Sequence, residues 1–202
     1  MSKRNQSAPA SFRKSLHSGF TLMELMVVIV IIGILATITI PASKGILKRA
    51  NEMATKNDAL QLKAGIGSYF TEYRKYPKRN PQPDDGANPD RSDHALMDIL
   101  LASDREAEKG GLNPRRIPFY SGSKAKPAEG GKFRKGVKAE ADGSGELWDP
   151  WSEYYYVVMD TDYNNRIPAP TFVREVKSIP QGVIVWSTGE HLTDDNDNIT
   201  TW

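Results

Sequence analysis

The longest apolar run of the chain extends from Phe20 to Ile40 and contains one charged residue, Glu24. As an α-helix that rises about 1.5 Å per residue, this run is long enough to cross a hydrocarbon layer about 30 Å thick. We therefore expect residues 20–41 to form the transmembrane half of a helix. An ionised carboxylate near the centre of a bilayer costs roughly 2.5–3.5 kcal/mol, so the charge of Glu24 predicts a charged partner.

After Pro41 the spacing of apolar residues becomes that of an amphipathic helix. One row recurs at steps of three and four residues and consists of Ile46, Ala50, Met53, Leu60, Ala64 and Gly67. A second row on another face consists of Ala59, Leu62, Ile66, Phe70 and Tyr73. We expect residues 42–76 to be the amphipathic half of the same helix, ended by Pro77, with its second row packed on a domain. A coiled-coil stalk is the alternative for the first row.

The remaining residues, 77–202, alternate short ordered patterns with polar loops, which is typical of one modest globular domain. The predicted fold class is α+β, with a long N-terminal transmembrane and spine helix packed on a small antiparallel β-sheet domain. In chain order we expect a helix at 94–109, a short strand at 113–120, a polar loop at 121–145, and strands at 154–159 and 183–186.

Charge and composition restrict the function further. Four basic residues and no acidic ones precede the apolar run, which predicts a cytoplasmic N-terminus and an extracytoplasmic domain after Pro41. The chain has no cysteine, which excludes a disulfide framework, a zinc-thiolate site and a cysteine nucleophile. The basic residues within 121–145 are accompanied by one aromatic residue, Phe133, so they predict a solvated loop rather than a nucleic-acid interface.

A polar leader, residues 1–19, ends at Gly19 directly before Phe20. A cleaved secretory signal would have a shorter apolar core with a small-residue cleavage site after it, so ordinary signal cleavage is not expected. The glycine, the phenylalanine and the acid at Glu24 resemble the class III signal of type IV pilins and pseudopilins. The resemblance implies that a prepilin peptidase cuts between Gly19 and Phe20 and methylates the new N-terminus.

The same resemblance assigns roles in assembly to Phe20, Glu24 and Pro41. It implies a homopolymer formed through the N-terminal helix, in which the carboxylate of one subunit is neutralised by the terminal amine of the next. The upper half of the helix would then face neighbouring subunits. The alternative is a plain N-terminal anchor in which Glu24 is incidental.

A second resemblance concerns the stretch from Trp148 to Tyr154, which is similar to the DPWGxxY segment of the major pseudopilin of type II secretion systems, with Ser152 in place of the usual glycine. It implies a structural subunit of a pseudopilus, single-pass in the inner membrane and with a periplasmic C-terminal domain. Minor pseudopilins and an inner-membrane assembly platform are the implied partners. A type IV or competence pilin subunit is the alternative within the family.

The C-terminal stretch from Trp186 to Trp202 resembles the calcium loop that closes the domain of the same family. Calcium takes six to eight oxygen ligands from carboxylates, amides and carbonyls. The predicted ligands are the Thr188 carbonyl and the side chains of Asp194, Asp195, Asp197 and Asn198. A solvated acidic tail is the alternative. The stretch that begins at Asp160 starts like an EF-hand loop, but Thr171 stands at its twelfth position, so a hairpin turn is expected.

Enzyme activity is not expected from this sequence. After the leader only His94 and His191 could act as histidine general bases, and neither lies in a nucleophile elbow, a HExxH pair or a paired-carboxylate motif. A membrane-anchored extracytoplasmic hydrolase is the alternative from a different functional class.

Overall fold

The computed structural model describes residues 19–79 and 88–202, and within them the side chains of residues 38–44 are not described. The predicted leader therefore lies outside the described residues except for Gly19. Contacts divide the chain into two compact units, Met1–Ile46 and Leu47–Trp202.

The first element is helix α1, Leu22–Tyr73. Its last turn is followed by Arg74 in the left-handed region, with a φ of 54°, so the helix ends before the predicted stop at Pro77. In the second unit the helix buries Ala59, Leu62 and Ile66 completely, as the second apolar row predicts. Among residues with described side chains, we find no helix that is both long and apolar enough to cross a membrane.

The prediction of a single helix at 94–109 is wrong, because two short helices form there instead. They are α2, His94–Leu100, and α3, Asp104–Ala107. The side chain of Asp93 caps the start of α2 by accepting from the Ala95 amide at 2.9 Å. The helix stops because Ala102 takes a left-handed φ of 60° and the Ser103 amide turns back to the Asp98 carbonyl.

The strands are short and all their pairings are antiparallel, so the predicted α+β class is confirmed. They are β1 at Asp90–Arg91, β2 at Lys126–Pro127, β3 at Phe133–Arg134, β4 at Gly136–Ala139, β5 at Gly145–Trp148, β6 at Tyr156–Met159, β7 at Ile167–Pro168, β8 at Ser178–Ile179, β9 at Val183–Ser187 and β10 at Ile199–Thr200. The main sheet has the order β1-β6-β9-β10, and β2-β3, β4-β5 and β7-β8 form separate pairs.

Two details differ from the sequence predictions. The expected strand at 113–120 does not form, and the expected polar loop at 121–145 contains β2, β3, β4 and the start of β5. The turn that begins at Asp160 is closed by the Asp160 carboxylate, which accepts from the amides of Asn164 and Asn165. It does not join a hairpin, because β6 pairs with β9 and β7 pairs with β8.

The sheet has a different core on each face, because successive side chains of a strand point to opposite sides. Val157 and Val185 join the cluster that includes Leu62, Ile66 and Tyr69 of α1 and apolar residues of α2. On the other face Val158, Ile184 and Trp186 pack with Ile167 and Ile179. The main sheet thus packs against residues of α1 on one face and against the β7-β8 pair on the other.

Candidate functional site

The N-terminal end of α1 is closed by a reciprocal pair of hydrogen bonds. The amide and the hydroxyl of Thr21 both donate to Glu24 Oε2 at 2.9 Å, and the Glu24 amide donates to Thr21 Oγ1 at 3.2 Å. This is the capping box, in which a threonine and a glutamate three residues later satisfy helix amides that lack an intrahelical partner. The sequence interpretation missed Thr21, although its T-x-x-E spacing is a known helix-start signal.

The residues of the predicted cleavage site lie directly before this cap. Gly19 and Phe20 precede α1 and are exposed, and a Cβ built on Gly19 would meet no atom within 4 Å. The predicted partner of Glu24 would belong to another molecule, and the cleavage itself stays a prediction. Pro41 lies within the bounds of α1, but its side chain is among those that are not described.

The apolar side chains that follow are uncovered. Every large apolar side chain from Phe20 to Leu35 is between 42% and 89% exposed. A contiguous apolar surface of this length marks a site for lipid or for another protein, since removing apolar area from water is favourable by about 25 cal/mol per Å². Glu24 lies within this surface.

The second candidate region is the loop that closes the C-terminus, between β9 and β10. A short 3-10 turn at Asp195–Asp197 is capped by Asp194, whose carboxylate accepts from the Asn196 amide at 3.0 Å. Gly189 has a φ of 71°, and a Cβ on it would lie 2.2 Å from the Asp197 carbonyl oxygen. Glycine is therefore required for the loop to close on itself.

Both carboxylate oxygens of Asp197 are engaged by basic groups of the same chain. Lys48 Nζ lies 3.3 Å from Asp197 Oδ1 and 3.6 Å from Glu190 Oε2, and His191 Nδ1 bonds to Asp197 Oδ2. The bonds from His191 and Lys48 lower the pKa of Asp197, and the bond to Asp197 raises the pKa of His191. The role of Asp197 as a metal ligand stays a prediction, and in this structure the carboxylate is already neutralised.

Three other predicted ligands lie along one cavity. Thr188, Asp195 and Asn198 line a space of about 430 Å³ together with Tyr156 and Trp186 of the sheet. The hydroxyl of Thr188 is buried and has no hydrogen-bond partner, which leaves a polar oxygen in need of one. Among the described residues, however, no group of three or more histidine or acidic side chains is arranged to hold a metal ion.

A buried carboxylate that was not predicted as a site residue ties this loop to the Trp148–Tyr154 segment. Asp149 Oδ1 accepts from the amides of Trp151 and Glu153, at 2.8 and 2.9 Å, and its Oδ2 accepts from the Ser187 hydroxyl at 2.7 Å. The Gly189 amide in turn donates to Ser187 Oγ at 3.0 Å. Burial raises the pKa of Asp149 to about 6, while its hydrogen bonds act in the opposite direction.

The unusual residue of the same segment has a conformational explanation. Ser152 has a φ of 70°, in the left-handed region that glycine adopts without a steric penalty. The serine therefore holds this turn at the cost of a strained backbone. The Asp149-Pro150 turn was predicted from the sequence, but its bond to the C-terminal loop was not.

The two histidines considered as general bases both bond to carboxylates. His94 Nδ1 lies 3.0 Å from Asp98 Oδ1, and His191 bonds to Asp197 as described above. Within residues 19–79 and 88–202, no hydrogen bond joins either ring to a serine or threonine hydroxyl.

Comparison with known proteins supports the N-terminal motif. The family model of the prokaryotic N-terminal methylation motif matches residues 14–40. The type II secretion system core protein G of Aeromonas hydrophila is 38% identical over 65 residues, which are 32% of this chain and 46% of that protein. The core protein G of Escherichia coli K12 is 39% identical over 62 residues, 31% of this chain and 43% of that protein.

A second group of relatives has a longer match. The type IV major fimbrial protein FimA of Dichelobacter nodosus is 35% identical over 102 residues, 50% of this chain and 62% of that protein. The chain thus spans about half the length of the curated relatives that it matches, and no solved structure matches it significantly. The resemblance to type IV pilins and pseudopilins, predicted from Gly19, Phe20 and Glu24, is confirmed.

Proposed function

We propose that the chain is a structural subunit of a type II secretion pseudopilus, inserted in the inner membrane, processed by a prepilin peptidase and polymerised to drive protein export. Its N-terminus would be cytoplasmic and the unit Leu47–Trp202 periplasmic, with minor pseudopilins and the inner-membrane assembly platform as partners. The observation that carries the proposal is the exposed apolar surface from Phe20 to Leu35, with its capped Glu24. Lipid covers this surface before assembly, and other copies cover it afterwards.

The charges at the start of α1 provide the assembly step. Cleavage after Gly19 creates an amine at Phe20, and an apolar helix end then carries this cation and the Glu24 carboxylate. In a polymer the amine of one copy neutralises the carboxylate of the next, which removes two unpaired charges from an apolar environment. Both bonds from Thr21 go to Glu24 Oε2, and no described group bonds to Oε1, which leaves that oxygen for another copy.

The capping box allows an experiment that separates the charge of Glu24 from its structural role. Glu24→Gln keeps an amide oxygen for Thr21 but has no charge, Glu24→Leu removes both, and Thr21→Ala removes the cap but keeps the charge. We expect both Glu24 variants to remain membrane-anchored and to form no polymer, and Thr21→Ala to polymerise. Membrane fractionation and electron microscopy of sheared polymers measure the two outcomes. Normal polymer yield from Glu24→Gln would show that the carboxylate is incidental.

Processing is tested by the intact mass of the membrane-extracted protein. We expect a mature chain that begins with N-methylated Phe20, and Gly19→Leu should keep its leader because a side chain obstructs the extended backbone at the cut. A native chain that is cleaved after Ala42, or one that stays uncleaved in cells with an active prepilin peptidase, would contradict the proposal.

The longer match to a type IV fimbrial protein favours a second candidate, a type IV or competence pilin subunit. Deletion of the chain's gene distinguishes the two functions. Loss of extracellular enzymes with surface fibres unchanged is expected for the secretion subunit. Loss of surface fibres with secretion unchanged would identify a pilin.

We also propose that calcium stabilises the C-terminal loop, with the Thr188 carbonyl and the side chains of Asp194, Asp195 and Asn198 as ligands. The support is that Thr188, whose buried hydroxyl has no hydrogen-bond partner, lines one cavity with Asp195 and Asn198. The ion would supply positive charge to carboxylates that repel one another. Asp197 joins the set only if the ion displaces Lys48 and His191.

Thermal unfolding in calcium and in chelator tests the metal. Binding to the folded chain alone adds RT ln(1 + [L]/Kd), about 2.7 kcal/mol at a hundredfold excess over Kd. Asp195→Ala should abolish the difference, while Asp162→Ala, which removes an exposed acid of the EF-hand-like turn, should leave it intact. Identical melting curves in calcium and in chelator would remove the metal assignment and would leave the acidic loop merely solvated.

A further inference from the structure

The basic residues that the sequence assigns to a solvated loop form an ordered hairpin. Residues 121–138 contain six lysines and arginines and one acidic residue. Within them β2 and β3 pair so that Lys126 stands directly opposite Arg134. Lys124 lies two residues before Lys126, and Ala125 between them is 7% exposed, so both lysines point to the same exposed side.

The hairpin places like charges close together, which lowers its stability. Two lysines of residues 121–138 are paired, Lys132 of the hairpin with Glu153 at 2.6 Å and Lys138 of β4 with Glu140 at 2.9 Å. Lys124, Lys126 and Arg134 form no ion pair with any described carboxylate. Like charges directly opposite on an antiparallel pair are destabilising, because their Cβ atoms lie only about 5 Å apart. An anionic partner would remove this cost.

The same chain carries a surface of the opposite charge. Residues 187–202 contain four acidic residues and no lysine or arginine. Glu190, Asp194 and Asp195 are exposed, and the bond from Arg174 to Asp195 is long, at 3.8 Å, between two exposed side chains. Calcium in this loop would reduce its negative charge without removing it, because Glu190, Asp194 and Asp195 together carry three negative charges and the ion carries two positive ones.

We propose that the basic hairpin, defined by Lys124, Lys126 and Arg134, docks on the acidic loop, defined by Glu190, Asp194 and Asp195, of a second copy of the chain. The two surfaces differ, so the contact is heterologous and repeats without closing unless the rotation forms a ring. Such a contact extends a filament between globular units in addition to the helix contact. The inference rests on the proposed polymer and names a specific contact within it.

Charge exchange in the full chain tests the contact. Lys126→Glu with Arg134→Glu should lower the polymer yield by about tenfold or more at low salt, because attraction becomes repulsion. Adding Glu190→Lys, at an acid that is not a proposed calcium ligand, should restore part of the yield. The control is Lys109→Glu, an exposed lysine outside the hairpin, which should polymerise normally. Tryptophan fluorescence melting confirms that each variant is folded.

Cross-linking locates the contact. Because the chain has no native cysteine, only the introduced cysteines can react. Lys126→Cys with Glu190→Cys should give a ladder of linked chains with a short bismaleimide, and Lys109→Cys with Glu190→Cys should give none. Polymers that form without this ladder and without an effect of charge reversal would overturn the contact and leave the proposed function intact. Failure of the unaltered chain to polymerise would overturn both.

Two other anionic partners give distinct outcomes. If charge reversal leaves the polymer unchanged but abolishes binding to phosphatidylglycerol vesicles, the hairpin serves a lipid surface and the proposed contact is wrong. If charge reversal leaves the polymer unchanged but abolishes binding to double-stranded DNA, the hairpin binds nucleic acid and the proposed contact is also wrong. Retention of vesicle binding together with loss of polymer supports the contact between copies.

Discussion

The two halves of α1 differ in what covers their apolar side chains. From Leu22 to Leu35 the helix presents large apolar side chains all round, and each is at least 42% exposed. From Leu47 to Tyr73 one stripe of apolar residues is covered, and within it Ala59, Leu62, Ile66 and Tyr69 are fully buried against the sheet and α2. A helix that is apolar on every side needs another molecule to cover it, whereas a striped helix is covered by its own domain.

Because of this difference, we expect the striped half to determine the stability of the domain and the fully apolar half to determine assembly. Substitutions in the striped half are expected to change the unfolding of the domain, and those in the fully apolar half to change membrane insertion or polymerisation. All four tryptophans belong to the unit Leu47–Trp202, so their fluorescence reports only the unfolding of that unit.

The largest expected effect comes from Leu62, which is fully buried on α1. Leu62→Ala should lower the free energy of unfolding by about 2–5 kcal/mol, because it removes buried methyl groups and leaves a cavity. Leu60→Ala, two residues earlier and 42% exposed, should cost far less, and Ile29→Ala in the other half should cost nothing. Urea unfolding followed by fluorescence measures all three. Equal losses for Leu60 and Leu62 would show that the domain does not cover the stripe.

The next effect depends on pH and arises from the burial of Asp149 in the second unit. The pKa of Asp149 is raised from 3.8 to about 6, so its contribution to stability is fully present below pH 3.8 and is lost as the pH rises through 6. The loss amounts to about 3 kcal/mol. Asp149→Asn keeps a group of the same shape and should remove this decline, while Asp142→Asn, at an exposed acid, should keep it. Urea unfolding between pH 4 and 7 gives the profiles, and parallel profiles for Asp149→Asn and the native chain would contradict the assignment.

Two glycines of α1 should respond with opposite signs. A Cβ on Gly67 would meet no atom within 4 Å, so Gly67→Ala should stabilise the helix by up to about 1 kcal/mol. A Cβ on Gly65 would lie 2.6 Å from the Phe119 carbonyl oxygen, so Gly65→Ala should destabilise the domain by forcing the backbone apart. Thermal melting measures both variants. A gain in stability from Gly65→Ala would contradict the close packing of α1 on the segment that contains Phe119.

The smallest effect is expected at Lys48, where α1 reaches the C-terminal loop. Its ammonium group pairs with Asp197 and Glu190, but the Lys48 side chain is 42% exposed, and exposed ion pairs contribute little. Lys48→Met should lower the melting temperature slightly at low salt and not at high salt, because salt screens the attraction. A large, salt-independent loss would instead indicate that the side chain contributes packing.

Local signals in the sequence predicted much of this protein. The stripe after Pro41 follows from periodicity, the apolar run from its length, and the strands around Val157 and from Val183 to Trp186 from β-favouring residues next to turns. All of these signals depend only on residues close in the chain. The capping box at Thr21 and Glu24 was equally readable, since it needs four consecutive residues. Short strands of two residues, such as β2 and β3, have too few positions to show a period, so the sequence predicted a loop there.

The sequence by itself determined which surface of the chain is apolar, where the helix begins and which segments form the central strands, because these depend on local propensity and spacing. Only the tertiary structure decided the partners of the charged groups. Lys48 meets Asp197 across 149 positions, Lys63 reaches the Thr201 carbonyl across 138, and Asp149 meets Ser187 across 38. Such contacts depend on how distant segments pack, and no periodic pattern along the chain records that arrangement.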